Sequence, residues 1–479
     1  MLNNFLSLYT PGFAKTLVYM LQSTEYDTKA YLRWIWKVNN FNKVANRGQL
    51  KPTRYSKMLL TFLRLGIILQ IIIGLLFMLL GISGEIKGGF FIGLVFIVSY
   101  PFIWSHLIVV SLILGRILIS DRRASTKIRA AEPIFKNHKA KKIAVLGSYG
   151  KTTMKELLKE ILSADFEVAA TPANKNVSVS HANFAHKLSG KEDILVIEYG
   201  EGEPGDIARF AKNTHPDYAI ITGLAPAHLD KYPDMHSAAQ DIFSIGDYVE
   251  HSKVFVNLDS ELCRDHLKEG MSGFNSKDVI GWKISRVKTA ISGSSFSLKK
   301  AKQEYNFETK MIGEHQIAFV AFATALALEL GEEPKKVAAA VKNTKPFEHR
   351  MQPYQLNGAW IIDDTYNGNI EGIRAGTKLL AHLDGKRKIY VTPGLVDQGI
   401  ETEAVHIEMG NLIAAANPDQ VVLMKNSVTE FIKQGLEQAK YNGKLLVQED
   451  PLNFYHNLSH FVAAGDLVVM QNDWPDNYS

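Results

Sequence analysis

Apolar positions along the chain follow two regimes that meet near residue 140. Upstream they run almost without a break. Met58 to Ile82 reads MLLTFLRLGIILQIIIGLLFMLLGI, and Phe90 to Ile119 reads FFIGLVFIVSYPFIWSHLIVVSLILGRILI. A helix that crosses a bilayer needs about 20 apolar residues, and each stretch supplies that many. Neither carries the broad polar face of a surface helix. The pattern predicts an N-terminal transmembrane helical hairpin over residues 58–119. Arg64 and Gln70 interrupt the first run and His106 the second. Arg64 lies near an end, where its long side chain reaches the headgroups. Pro101 kinks the second helix or splits it into a re-entrant pair.

Flanking charge orients the hairpin. Lys51, Arg54 and Lys57 precede the first run, and Arg116, Arg122, Arg123, Lys127 and Arg129 follow the second. The loop SGEIKGG between them holds one acid and one base. Basic flanks stay inside, so both ends are expected in the cytoplasm of a multi-pass protein of the cell membrane, with the lipid bilayer as a partner. Residues 1–57 mix aromatics with bases. Trp34 and Trp36 suit either a membrane interface or a small helical subdomain. The start, MLNNFLSLYTPGF, lacks the basic opening and continuous apolar core of a signal peptide. Residues 120–140 read as a basic linker.

From Lys141 the period changes. Short β-rich runs (KKIAVLG, DILVIEYG, DYAIITGL, KVFVNLD) alternate with helical segments, and a second such set begins near Pro346 with WIIDDTY, RKIYVTPG, QVVLMK and DLVVMQ. The alternation predicts an α/β fold with mainly parallel sheets. A central domain is expected over 141–345 and a C-terminal Rossmann-like domain over 346–479. The length of 479 residues agrees with about three units. A net charge of +5 does not point to nucleic acid, and the single cysteine, Cys263, excludes an internal disulfide.

The strongest chemical signal is Gly147-Ser148-Tyr149-Gly150-Lys151-Thr152-Thr153. It follows the apolar run IAVL and opens the helical segment MKELLKEIL. Glycines there let backbone N–H groups converge on phosphate oxygens, and the helix N-terminus adds a favourable dipole. Lys151 is placed to reach the terminal phosphates of a nucleotide, and Thr152 offers a hydroxyl to Mg²⁺. The spacing is G-x-x-G-K-T-T, with Val145 where a longer phosphate loop has its first glycine.

This shorter loop resembles that of the Mur ligases, which build peptidoglycan stem peptides, and of relatives that add glutamates to folate. Further matches follow in order over residues 141–479: TPANKN, VIEYGEGEPGDIARF, ITGLAPAHLDKY, GEH at Gly313–His315 and EHRMQPYQLNGAWIIDDTYNGN. The last looks most like the branch that adds D-alanyl-D-alanine to a UDP-linked muramyl tripeptide. The resemblance implies metal ligation by Glu198 and His228 beside Thr152, with Lys151, Glu198 and His228 as the catalytic set. It implies ATP contacts from Gly147, Ser148, Gly150, Lys151, Thr152, Thr153, Arg350 and Asp364, the last two on phosphate and ribose. Tyr366, Asn367 and Asn369 become candidates for substrate binding.

The expected activity is an ATP-dependent amide-bond ligase that works through an acyl phosphate, with ATP and Mg²⁺ as cofactors. Its substrates would be a muramyl-peptide or lipid-linked acceptor and an amino acid or dipeptide. A free carboxylate does not condense with an amine in water, so activation by phosphate is the chemical need that ATP meets. Three places depart from the resemblance. Gln240 stands where many relatives carry a carbamylated lysine. Gln316 and Phe319 stand near a usual asparagine that contacts adenine. The membrane hairpin occupies the place of the domain that grips the UDP-sugar. Two other readings remain: a membrane-bound polyglutamate-type synthetase, and a degenerate ligase serving as a membrane scaffold.

Overall fold

The computed structural model describes residues 6–472 apart from 25, 39–40, 42–49, 116–120, 174, 226–231, 233, 367 and 396–397. The chain divides into two compact units, one running to Ala124 and the other beginning at Ser125.

The first unit is helical: α1 (Phe13–Ser23), α2 (Thr28–Lys37), α3 (Arg54–Ile82), α4 (Gly89–Val98) and α5 (Tyr100–Gly115). Thr53 caps α3, its side chain accepting from Ser56 N–H while Ser56 reaches back to Thr53 N–H. Among the described residues α3 is the one helix long and apolar enough by itself to cross a membrane; Gly89–Val98 and Tyr100–Ile113 pass the same test together, bent by 60°. The second apolar run is therefore broken rather than straight, and the break lies next to Pro101, which lacks an N–H for the ladder. Glycines set how closely α3 and α4 pack. A Cβ on Gly93 would stand 2.3 Å from the carbonyl oxygen of Gly74. Gln70 faces inward, donating to Phe96 O at 2.7 Å and accepting from Trp104 Nε1 at 2.6 Å. Residues before α3 form a small helical subdomain: Phe13, Leu17, Tyr31 and Trp34 share one apolar cluster with Leu63 and Ile108. Trp34 is thus a core residue, and Trp36 is the exposed one.

The division between the units falls within α6 (Asp121–Asn137), so the stretch read as a linker is helical. It buries Ala131 and Phe135 in the α/β core. Then follow β1 (Lys141–Leu146), α7 (Lys151–Leu162), β2 (Val168–Ala170), α8 (Ser178–Ala185), β3 (Ile194–Glu198), α9 (Asp206–Thr214), β4 (Tyr218–Ile221), α10 (Met235–Phe243), β5 (Val254–Asn257) and β6 (Ser272–Phe274). These strands form one sheet in the order β2-β3-β1-β4-β5-β6, every neighbouring pair parallel. Strand order reverses at β1, and ligand sites of open α/β sheets lie beyond the strand ends at such a point.

An antiparallel sheet follows, in the order β10-β9-β8-β7: β7 (Asp278–Val279), β8 (Trp282–Ala290), β9 (Gly293–Lys300) and β10 (Gln303–Thr309). The sequence reading contains no such layer. Its inner residues Trp282, Phe296, Leu298 and Phe307 join the core beneath α11 (Glu314–Glu329), and α12 (Pro334–Asn343) completes that layer. The last sheet has the order β11-β12-β16-β13-β14-β15, with β11 (Gln352–Leu356) antiparallel to β12 (Ala359–Asp364). Strands β13 (Arg387–Thr392), β14 (Gln420–Met424), β15 (Lys444–Gln448) and β16 (Asp466–Gln471) are parallel to β12. Helix α13 (Ile370–His382) follows β12 directly.

Candidate functional site

The Gly147–Gly150 loop joins β1 to α7, as its sequence context demands. Gly147 has φ +132°, and a Cβ there would meet Gly223 O and Thr222 Oγ1, both at 2.7 Å. Gly150 has φ +76° and sits beneath Phe319, whose ring would be 2.5 Å from any added Cβ. Only glycine meets both demands, left-handed backbone and no side-chain volume. Ser148 N–H donates to Gly223 O at 2.7 Å, and Thr222 Oγ1 to Leu146 O at 3.1 Å, so the end of β4 straps the loop.

On α7, Lys151 Nζ donates to Gly147 O at 2.5 Å and pairs with Glu201 Oε1 at 3.3 Å. Ser148 Oγ donates to the other oxygen of Glu201 at 3.1 Å. Thr152 Oγ1 donates to Glu198 Oε1 at 3.1 Å. One turn further, the fully buried Lys155 pairs with Glu198 Oε2 at 3.2 Å and donates to Ala173 O. Asn176 Nδ2 adds a contact to Glu198 Oε1 at 3.3 Å. A buried carboxylate is costly unless paired, and Lys155 supplies the counter-charge. Behind it His181 Nε2 meets Glu198 O at 2.8 Å, and burial pushes that imidazole down to about 4, so it is neutral.

The C-terminal layer contributes Arg350. Its Nη2 approaches Thr152 Oγ1 at 3.4 Å, and its guanidinium lies 4.3 Å from the centre of the Tyr366 ring. Cation–π stacking holds the planar head while leaving its N–H edge to face the loop. Asp364, at the end of β12, accepts from Gln471 Nε2 at 2.8 Å and from Met351 N–H at 3.2 Å. Burial raises its carboxyl to about 7, and the neighbouring Asp363 adds to that.

The sequence-derived candidates thus divide. Gly147, Ser148, Gly150, Lys151, Thr152, Glu198 and Arg350 converge on one locus. Thr153 is buried in α7. Asn369 caps α13, accepting from Gly372 N–H at 2.9 Å, and is buried. Tyr366 acts on Arg350. His228 and Asn367 lie outside the described residues. Gln240 is exposed on α10 and meets His236 Nε2 at 2.8 Å. Phe319 covers Gly150, and the buried Gln316 contacts His315 Nε2 at 3.0 Å. Sequence reasoning missed Lys155 and Glu201. A helical period of four from Lys151, and a second acid three residues past Glu198, were the available signals.

Thr152 and Glu198 put a hydroxyl and a carboxylate side by side, hard oxygen donors of the kind Mg²⁺ takes. Oε2 of Glu198 is buried and, although near Lys155, accepts no hydrogen bond among the described residues. Among the described residues no group of three His, Cys, Asp or Glu side chains could hold a metal.

Residues 145–327 match the Mur ligase middle domain. The chain is 28% identical over 302 residues to the UDP-N-acetylmuramoyl-tripeptide--D-alanyl-D-alanine ligase of Escherichia coli, covering 59% of this chain and 64% of that protein. The namesake from Buchnera aphidicola is 26% identical over 336 residues, covering 67% and 71%. Among solved structures, MurF of Acinetobacter baumannii superposes with a TM-score of 0.65 at 20% identity, over 74% of this chain and 78% of that one. MurF of Thermotoga maritima in complex with ADP superposes with 0.64 at 21% identity, over 73% and 80%. The chain thus spans somewhat under two thirds of the E. coli relative's length.

Proposed function

We propose that this chain, which carries a Mur ligase middle domain on a MurF-like fold, is an ATP-dependent amide-bond ligase of peptidoglycan precursor synthesis. The observation that carries the reading is the convergence of Lys151, Thr152, Glu198 and Arg350 on the Gly147–Gly150 loop. In the reaction a carboxylate oxygen of the acceptor attacks the γ-phosphorus of ATP, and ADP leaves. The amine nitrogen then attacks the acyl carbon, phosphate departs, and the nitrogen loses a proton. Lys151 and Arg350 bring fixed positive charge to the transferring phosphoryl group, where oxygen charge builds. Mg²⁺, when bound, neutralises phosphate charge, and Thr152 and Glu198 would hold it, with His228 as a further proposed ligand. Asp364 is the proposed partner of the ribose.

The substrates proposed are a muramyl tripeptide and D-alanyl-D-alanine, after the names of the curated relatives. A membrane location with the catalytic unit on the cytoplasmic side is supported by the length and outward apolar face of α3, by the bent pair α4–α5, and by the basic flanks. That location favours an acceptor presented at the membrane, lipid-linked rather than free.

Release of ADP that depends on both amine and acceptor, screened over muramyl nucleotides and lipid-linked precursors, tests the reading. Turnover is expected with one acceptor class; ATP hydrolysis indifferent to every amine and acceptor would sink it. Cysteines placed between Ser83 and Gly88 should react with an impermeant reagent outside intact cells. Reaction only after permeabilisation would reverse the topology.

A further inference from the structure

Helix α7 carries lysines at successive turns, and its first two each meet an acid at or just beyond the end of β3. Lys155 takes Glu198, and Lys151 takes Glu201. The second pair is the unexpected one. Both oxygens of Glu201 are engaged, one on Lys151 Nζ at 3.3 Å and one on Ser148 Oγ at 3.1 Å. The pair is well shielded, with the Lys151 and Glu201 side chains 13% and 6% exposed. The remaining contacts of Lys151 are the neutral carbonyls of Gly147 and Ser148, so Glu201 is its one anionic partner among the described residues.

Lys151 and Ser148 are also donors of the phosphate loop. A bidentate carboxylate on a lysine and a hydroxyl imitates two oxygens of a terminal phosphate. The two anions cannot share one ammonium without strong repulsion in so shielded a place. We propose that Glu201 is a resident competitor for phosphate: nucleotide binding displaces its carboxylate from Lys151 and Ser148, and its charge sets the affinity for nucleotide. This rests on the reading of Gly147–Thr153 as a nucleotide site and adds a control of that site.

Calorimetric titration of the full chain in detergent with ADP, with and without Mg²⁺, tests the proposal. Glu201→Gln keeps the shape and removes the charge. It should tighten ADP binding about tenfold or more, since close, shielded charge pairs are worth at least that. Glu201→Ala should act in the same direction, and both should keep the native circular dichroism. In a Lys151→Ala background Glu201→Gln should lose most of its effect, because the lysine transmits it. Native binding that neither variant tightens overturns the proposal and leaves the nucleotide reading standing. Looser binding of Mg²⁺–ADP with unchanged metal-free ADP would make Glu201 a metal ligand instead, which also overturns it. Absence of ADP binding from the native protein and both variants would overturn the nucleotide reading and the proposal together.

Discussion

The two units of this chain solve opposite burial problems. In the α/β unit, strands such as Ile194–Glu198 are buried along their whole length, and charge is admitted at the strand ends. In the helical unit, Leu65, Ile68, Ile72, Leu79 and Phe91 point outward, while Gly74, Gly93, Gln70 and Trp104 meet inside. On the proposed membrane location, the surroundings of each unit account for the difference. Water drives apolar side chains inward, so the α/β core fills with Val, Ile and Phe. Hydrocarbon gives no such drive. Helices placed in lipid would associate through close backbone contact and a few internal hydrogen bonds, and the helical unit has both, in Gly93 against Gly74 and in Gln70 on Phe96 and Trp104.

The comparison breaks most sharply at Lys151. Lys151→Ala should lower ATP turnover by at least about 100-fold while leaving the circular dichroism unchanged, because the loss is of charge on transferring phosphate. Normal turnover by this variant would strip the α/β unit of its assigned site. In the helical unit, Gly93→Leu should cost about 2 kcal/mol or more, because its Cβ would fall 2.3 Å from Gly74 O and 2.8 Å from Met78 N. Thermal unfolding in detergent reads this, and an unshifted midpoint would show that α3 and α4 do not rely on close contact.

A smaller effect is expected at Glu332, which is buried with neither carboxylate oxygen hydrogen-bonded among the described residues. Burial lifts its carboxyl to about 8, with Asp165 adding to the shift and Lys336 opposing it. A raised acid contributes fully below its unfolded value and loses that contribution as pH rises toward 8. Glu332→Gln should therefore stabilise the α/β unit by about 1 kcal/mol near pH 8 and by less at pH 5, read from denaturant midpoints. A gain that is larger at pH 5 would contradict the assignment. The smallest effect belongs to Gln240→Glu. Since Gln240 is exposed and turned to His236, its Mg²⁺ titration should match the native protein within about twofold. A clear fall in Mg²⁺ requirement would return this position to the site.

What could be read along the chain was what short stretches decide by themselves. Long, predominantly apolar runs, a glycine pair before Lys151, and strands alternating with helices each follow from local period and local sterics. The antiparallel β7–β10 layer escaped because its strands carry lysines and serines on their outer faces and show apolar residues mainly toward α11. Trp34 and Trp36 look alike in sequence, yet one enters the core and one remains outside, since helix phase and the partners it meets decide that. The pairing of Lys155 with Glu198 and of Lys151 with Glu201 joins residues more than forty positions apart. Such contacts exist only once β1 and β3 lie side by side, because the sheet, and not the local chain, brings α7 against the end of β3. The sequence alone determined the phosphate loop and the apolar helices; the tertiary structure alone brought Glu198 and Glu201 to the two lysines.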